Sequence, residues 1–162
     1  MENIVVRFAV AEDVPVILNF IRELAAYEKL LDQVVATEEI LHEWIFERKK
    51  AEALIVESDG EAVGYALFFH NFSTFLGRAG IYLEDLYVRP AARRRGTGRR
   101  LLEAVASIAR ERGCGRLEWS CLDWNEPSIA FYLSLGAKPM DDWTVYRMTG
   151  EAIDRLASGM MA

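Results

Sequence analysis

Across residues 79–112 an apolar run, a loop of arginines and glycines, and an amphipathic stretch follow one another without a break. Val88 closes the apolar run, Arg93-Arg94-Arg95-Gly96-Thr97-Gly98 forms the loop, and Leu101, Leu102, Val105, Ile108 and Ala109 recur at helical spacing. A strand therefore leads through a basic turn into a helix whose leading N–H groups have no partner inside the helix. Glycine lets a backbone approach a bound group closely, and the helix dipole and the arginines favour negative charge. The segment predicts a cradle for a pyrophosphate, against the plainer alternative of a solvated basic turn. Arg89, Arg93, Arg94, Arg95, Arg99 and Arg100 carry it with no acid among them, in a chain of net charge −6. That contrast predicts one specific anionic ligand, while the acidic whole argues against nucleic acid and anionic membranes as partners.

The remaining pattern supplies a sheet for this unit to belong to. A strand is expected at residues 4–8, and a helix at 11–31 from the stripe Val14, Ile17, Leu18, Ile21 and Leu24. Thr37 with Glu38 and Glu39 opens a second helix to about Arg48. Apolar runs at 53–57 and 62–69 flank Ser58-Asp59-Gly60-Glu61, a hairpin signal. After the strand at 79–88 and the helix at 98–112, a strand is expected at 116–122. Asn125 then caps a short helix with Pro127 in its first turn, and a last strand is expected at 143–148. The order predicts an α/β (α+β) fold, a mixed and mostly antiparallel sheet covered by helices. With 162 residues, 52% of them hydrophobic, a single domain over 1–162 is expected.

No basic start with an apolar stretch and cleavage site stands in residues 1–30, and no apolar run approaches the roughly 18 residues of a membrane span. A soluble, cytoplasmic protein with no membrane partner is the expectation. Cys114 and Cys121 lack metal-ligand spacing and read as reduced thiols. His42 and His70 have no partners at ligand spacing, so no metal is expected.

Other phosphate loops fit less well. A P-loop needs Lys and a hydroxyl after its last glycine, where Arg99 and Arg100 stand here. A dinucleotide fingerprint finds Gly96, Gly98 and Glu118 at suitable spacing, but Leu101 occupies the third glycine position, and residues 89–95 separate the strand from the glycines. It stays as a minor alternative.

Three blocks carry a resemblance: Leu83-Glu84-Asp85-Leu86-Tyr87-Val88, the R-x-x-G-x-G loop from Arg93, and Trp124-Asn125-Glu126-Pro127-Ser128 with Phe131-Tyr132 and Gly136-Ala137. In this order they resemble the GNAT superfamily of N-acetyltransferases. The first and last, with Ile21-Arg22-Glu23-Leu24-Ala25 and Tyr27-Glu28, are most similar to its spermidine/spermine (diamine) acetyltransferase branch. The resemblance implies acetyl-CoA as co-substrate, held by Arg93, Arg94, Arg95, Gly96, Thr97, Gly98 and Arg99 with Asn125 and Ser128. It also implies that the strand backbone at Leu86, Tyr87 and Val88 binds the pantetheine arm and thioester carbonyl, with the N–H groups around Leu86 and Val88 as donors. A homodimer is implied as well, to which the aromatic runs at 66–75 and 143–148 can contribute apolar surface.

The strand before the loop changes face. Ile81 and Leu83 are apolar at odd positions, and Leu86 and Val88 at even ones. One extra residue near Glu84 and Asp85 restores a single apolar face, so a β-bulge is expected there, splaying the strand from its neighbour after Val88. A strand buried on both faces is the alternative. Two carboxylates inside an apolar strand need a partner or a task. Amine acetylation supplies one, because an alkylamine of pKa about 10.4 is protonated at neutral pH and cannot attack a thioester. Glu84 is the candidate base, acting directly or through water.

Asn125, Ser128 and Tyr132 share a helix face. The Tyr132 phenol is the candidate acid for the departing thiolate, as the resemblance also implies. Just after it, Leu133-Ser134-Leu135 replaces a basic pair of the spermidine/spermine branch. Tyr27, Glu28, Asp32, Glu84 and Asp85 are the candidate contacts for a small cationic, di- or polyamine-like acceptor, Tyr27 through its aromatic face. A lysine-like amino acid or a protein amine, and a non-catalytic acyl-CoA-binding sensor, are the rival readings.

Overall fold

Asp59 and Gly60 both take positive φ, 49° and 85°, the pair of left-handed residues that a two-residue hairpin turn requires. The turn joins β2 (Glu52–Ser58) to β3 (Glu61–Ser73), and β3 runs antiparallel to β4 (Arg78–Val88). β1 (Ile4–Phe8) pairs with β2, while β5 (Leu117–Trp119) lies parallel to β4 on its far side. The sheet order is β1-β2-β3-β4-β5, the mixed and mostly antiparallel sheet read from the sequence. This computed structural model describes residues 1–159, in two compact units: Met1–Leu122, which holds the sheet, and a second from Asp123 onward.

Each sheet face carries a helix. On one face Ala53, Ile55, Tyr65 and Tyr87 are buried under Ile17 and Phe20 of α1 (Val14–Tyr27). The Phe20 ring stacks on Tyr65 with centroids 5.6 Å apart and planes at 14°, worth about 0.5–1.5 kcal/mol beyond the area buried. Leu54, Val56, Phe68, Ile81 and Leu83 are buried on the opposite face. There α3 (Thr97–Glu111) brings Leu101, Leu102, Val105 and Ala109, with Gly98 beside the Val88 side chain.

The helix expected over 11–31 is shorter. A 3-10 turn at Ala11–Asp13 precedes it, and it ends at Tyr27 because Lys29 takes φ 64°. There the Leu30 N–H donates to the Ala25 carbonyl at 2.8 Å and the Lys29 N–H to that of Ala26 at 3.1 Å, a left-handed C-cap with lysine where glycine is usual. Thr37 caps α2 (Glu38–Leu41) by accepting the Ile40 N–H at 3.2 Å, and the chain continues as a π-helical turn, His42–Glu47.

In the second unit, α4 (Glu126–Ser134) and α5 (Gly150–Ala157) are helical, and α5 lies beyond the elements expected from the sequence. The strand expected at 143–148 is absent: those residues form no ladder, and Trp143, Val145 and Tyr146 are exposed. Strand propensity measures fit to a paired, half-buried surface, and this run has no such surface. Leu133, on α4, is exposed.

Candidate active site

The site begins at a shift of register. Phe68 pairs with Leu83 and Leu67 with Asp85, so Glu84 is the extra residue of β4 in its ladder with β3. Because Gly64, Ala66 and Phe68 share a face of β3, their partners Val88, Leu86 and Leu83 share a face of β4. This is the bulge that the change from odd to even positions predicts. β5 follows β4 only as far as the pair Leu83 and Trp119. The strands therefore part at Glu84 rather than after Val88. That parting also stops β5 at Trp119 instead of residue 122, because β4 no longer offers it a ladder.

Beyond the bulge the backbone faces outward. The Ile81 N–H donates to Arg116 on the β5 side at 3.0 Å, whereas the Arg89 N–H donates to Val63 on the β3 side at 2.8 Å. Alternation from Arg89 sends the Tyr87 N–H toward β3 and those of Leu86 and Val88 to the side that β5 has left. The Tyr87 ring lies in the core, and its hydroxyl donates to Glu23 at 3.2 Å.

The two adjacent carboxylates sit in unlike surroundings. Glu84 is exposed, while Asp85 is half-buried and accepts a hydrogen bond from the phenol of Tyr65, a fully buried side chain. Burial pushes the Asp85 carboxyl above its usual range, and the bond from Tyr65 works against that push. Burial, and then the negative charges of Asp85, Glu84 and Glu28, hold the Tyr65 phenol well above its ordinary value. Glu28, just past the end of α1, is raised by burial and by Asp85. Glu28, Glu84 and Asp85 thus gather round one protonated phenol, an arrangement that favours an entering cation.

Two other predicted acceptor residues lie differently. Tyr27 ends α1 and is partly exposed, with the Arg93 guanidinium 5.3 Å above its ring. Asp32 occupies an exposed 3-10 turn, Leu31–Gln33, beyond the break at Lys29 that ends α1.

The loop places its arginines unequally. Arg93 turns inward, donating from Nε to the Val88 carbonyl at 2.7 Å and lying 5.7 Å from the Tyr87 ring centroid. Arg89 is tied to Glu23 at 3.1 Å and lies over Phe20. Arg95 pairs with Glu2 and Arg99 with Glu103, at 2.8 and 2.9 Å, on the surface. Such solvent-screened pairs are weak and exchange readily for a phosphate. Arg94 is exposed with φ 66°, and Gly96, at φ 74°, is the N-cap of α3. Thr97 Oγ1 is buried with no hydrogen-bond partner among the described residues. An orphaned hydroxyl in the first turn of a helix, beside exchangeable arginines, fits an oxygen-rich anion. Glu118 lies within β5 and accepts a bond from Asn71 at 3.2 Å, away from the strand end where a ribose contact belongs.

In the second unit Asn125 stands at the N-cap of α4, but its buried side chain does not bond the helix N–H groups. Ser128 and Tyr132 are half-buried on one face of α4, and the Tyr132 ring lies 5.7 Å from that of Phe131. Among the described residues no group of His, Cys, Asp and Glu gathers as a metal site, and no helix is long and apolar enough to cross a membrane. Sequence reading missed Tyr65, the one hydroxyl in the run Ala62-Val63-Gly64-Tyr65-Ala66-Leu67, and the inward turn of Arg93.

Residues 19–137 match the acetyltransferase (GNAT) family. A thialysine N-epsilon-acetyltransferase of Bos taurus is 40% identical, over 97% of this chain and 99% of its own. A spermidine/spermine N(1)-acetyltransferase-like protein 1 of Homo sapiens is 30% identical, over 94% of this chain and 24% of its own. The solved structure of integron cassette protein VCH_CASS6, from the mobile metagenome of V. cholerae, shares the fold with a TM-score of 0.78. It is 24% identical and covers 95% of this chain and 97% of its own. The chain therefore belongs to the acetyltransferase (GNAT) family and is an acetyltransferase.

Proposed function

We propose that the chain transfers an acetyl group from acetyl-CoA to a primary amine of a small cationic, di- or polyamine-like acceptor, by direct attack in a ternary complex. One observation carries the reading: the bulge frees the β4 edge and sets an exposed carboxylate, Glu84, at the start of the freed stretch. Acetyl-CoA supplies the activated thioester. The first turn of α3 at Gly96, Thr97 and Gly98, with Arg94, Arg95 and Arg99, is suited to its pyrophosphate. The outward N–H groups of Leu86 and Val88 suit the pantetheine arm and the thioester carbonyl.

Glu84 takes the proton that an alkylammonium must lose before it can attack. Asp85 and Glu28 supply negative charge for a second cationic group, and Tyr27 an aromatic face. Tyr132 protonates the leaving thiolate, a role that rests on the resemblance of its helix to the family. A lysine-like amino acid is the second reading, favoured by the substrate named for the Bos taurus relative. We also infer one catalytic domain over 1–162, a homodimer and a cytoplasmic location.

Thiol release from acetyl-CoA across monoamines, diamines and amino acids tests this. Amine-dependent release, highest with a diamine, is expected. Acetyl-CoA binding without release with any amine indicates a sensor instead.

A further inference from the structure

Tyr65 does something for Asp85 that a core aromatic does not require. Its ring is already held, stacked on Phe20 and opposite Tyr87 in the register, and a phenylalanine fills that space equally well. The hydroxyl adds one contact, a bond donated to Oδ2 of Asp85. The bulge makes the contact possible: Tyr65 and Asp85 lie on one face of adjacent strands, and Glu84, the extra residue, is exposed.

Resting on the acetyl-transfer reading above, we propose that Tyr65 is a positioning residue for acceptor choice. By bonding one oxygen of Asp85, it presents the other to a second cationic group of the acceptor and leaves Glu84 for the reacting amine.

The surrounding charges make this bond necessary. Tyr65 reaches Asp85 from β3, Glu84 stands beside it on β4, and Glu28 approaches from the end of α1. Arg93 and the pair Glu23 and Arg89 lie further along that face, around Tyr87. Burial favours the neutral acid at Asp85, and the bond from the phenol opposes it. Without the hydroxyl the Asp85 carboxyl rises further, and the protonated acid has no charge for an ammonium. The acid limb of acceptor kcat/KM must then move to higher pH.

The test compares Tyr65→Phe with wild type, using 1,4-diaminobutane and butylamine as acceptors from pH 5 to 9. The diamine kcat/KM should fall about tenfold at neutral pH, as expected for losing a hydrogen bond to a charged group. Its acid limb should move upward, while butylamine changes within about twofold and calorimetric acetyl-CoA affinity is retained. Asp85→Asn should remove the diamine preference by itself, and adding Tyr65→Phe should cost little more. An unchanged acid limb and diamine preference in folded Tyr65→Phe, or full additivity in the double variant, overturns the proposal. Wild-type turnover of both amines without diamine preference overturns it too, but leaves acetyl transfer standing. No thiol release with any amine defeats the underlying reading, and this one with it.

Discussion

Gly64 is the place where the smallest possible substitution should disturb the site. It pairs with Val88 across β3 and β4, and a Cβ there would sit 2.4 Å from the Tyr87 carbonyl oxygen, 3.0 Å from the Val88 Cα and 3.1 Å from Val56 Cγ1. Two of the three are backbone atoms, so a rotamer change cannot relieve the clash. β4 must move about 1 Å to restore a contact distance near 3.5 Å. Overpacking costs about 1–3 kcal/mol, and replacing a strand glycine returns about 0.5–1 kcal/mol. The net loss for Gly64→Ala is therefore about 0–2.5 kcal/mol, or up to roughly 10 °C in Tm for a chain of this size. The displaced segment carries the outward N–H groups of Leu86 and Val88, so acetyl-CoA affinity should also fall, by about tenfold. Thermal unfolding and calorimetry read the two effects separately. A variant with wild-type Tm and wild-type acetyl-CoA affinity would refute the packing argument and the assignment of that strand end.

At the loop, Gly98→Asp should lose at least about tenfold in acetyl-CoA affinity by setting a carboxylate against phosphate. Unchanged calorimetric affinity in that folded variant would remove the loop from the site. Away from the site, Arg7 bonds Asp13 at 2.8 and 3.0 Å and Glu57 at 2.6 Å, and its bonds hold the Asp13 carboxyl below the usual range. The depressed Asp13 contributes stability above its unfolded value near 3.9, lost as pH falls through the folded value. Arg7→Met should then cost about 1 kcal/mol at pH 7 and much less once acid has protonated Asp13 in the folded protein, as read by denaturant unfolding; a pH-independent loss would assign it to packing. Light scattering should give twice the 18.4 kDa chain mass, and a mass near one chain would reject the dimer.

Much of the site was legible because it rests on patterns local in sequence. The move of apolar residues from Ile81 and Leu83 to Leu86 and Val88 requires an inserted residue, and the register supplies it at Glu84. The step from basic loop to amphipathic helix likewise fixed the first turn of α3. What escaped depends on partners distant in the chain or on uncommon solutions to local geometry. Lys29 ends α1 in a conformation that glycine would have advertised. The run at 143–148 has strand-forming residues but no ladder, while α5 rests on a short signal, Thr149 at its N-cap and the pair Glu151 and Arg155 one turn apart. The bond from Tyr65 to Asp85 joins residues 20 positions apart on neighbouring strands, and only the bulged register brings them to one face.

The central claim, that Glu84 removes the proton of an acceptor amine during acetyl transfer, is tested most directly by the pH dependence of thiol release in Glu84→Gln beside Tyr132→Phe. Each variant should slow the chemical step by roughly 10²-fold at neutral pH while still binding acetyl-CoA. Raising the pH should partly rescue Glu84→Gln, because more acceptor arrives unprotonated. It should not rescue Tyr132→Phe in the same way, since free amine gives no proton to the thiolate. Matching pH profiles for the two variants, or full activity in Glu84→Gln, would contradict the claim.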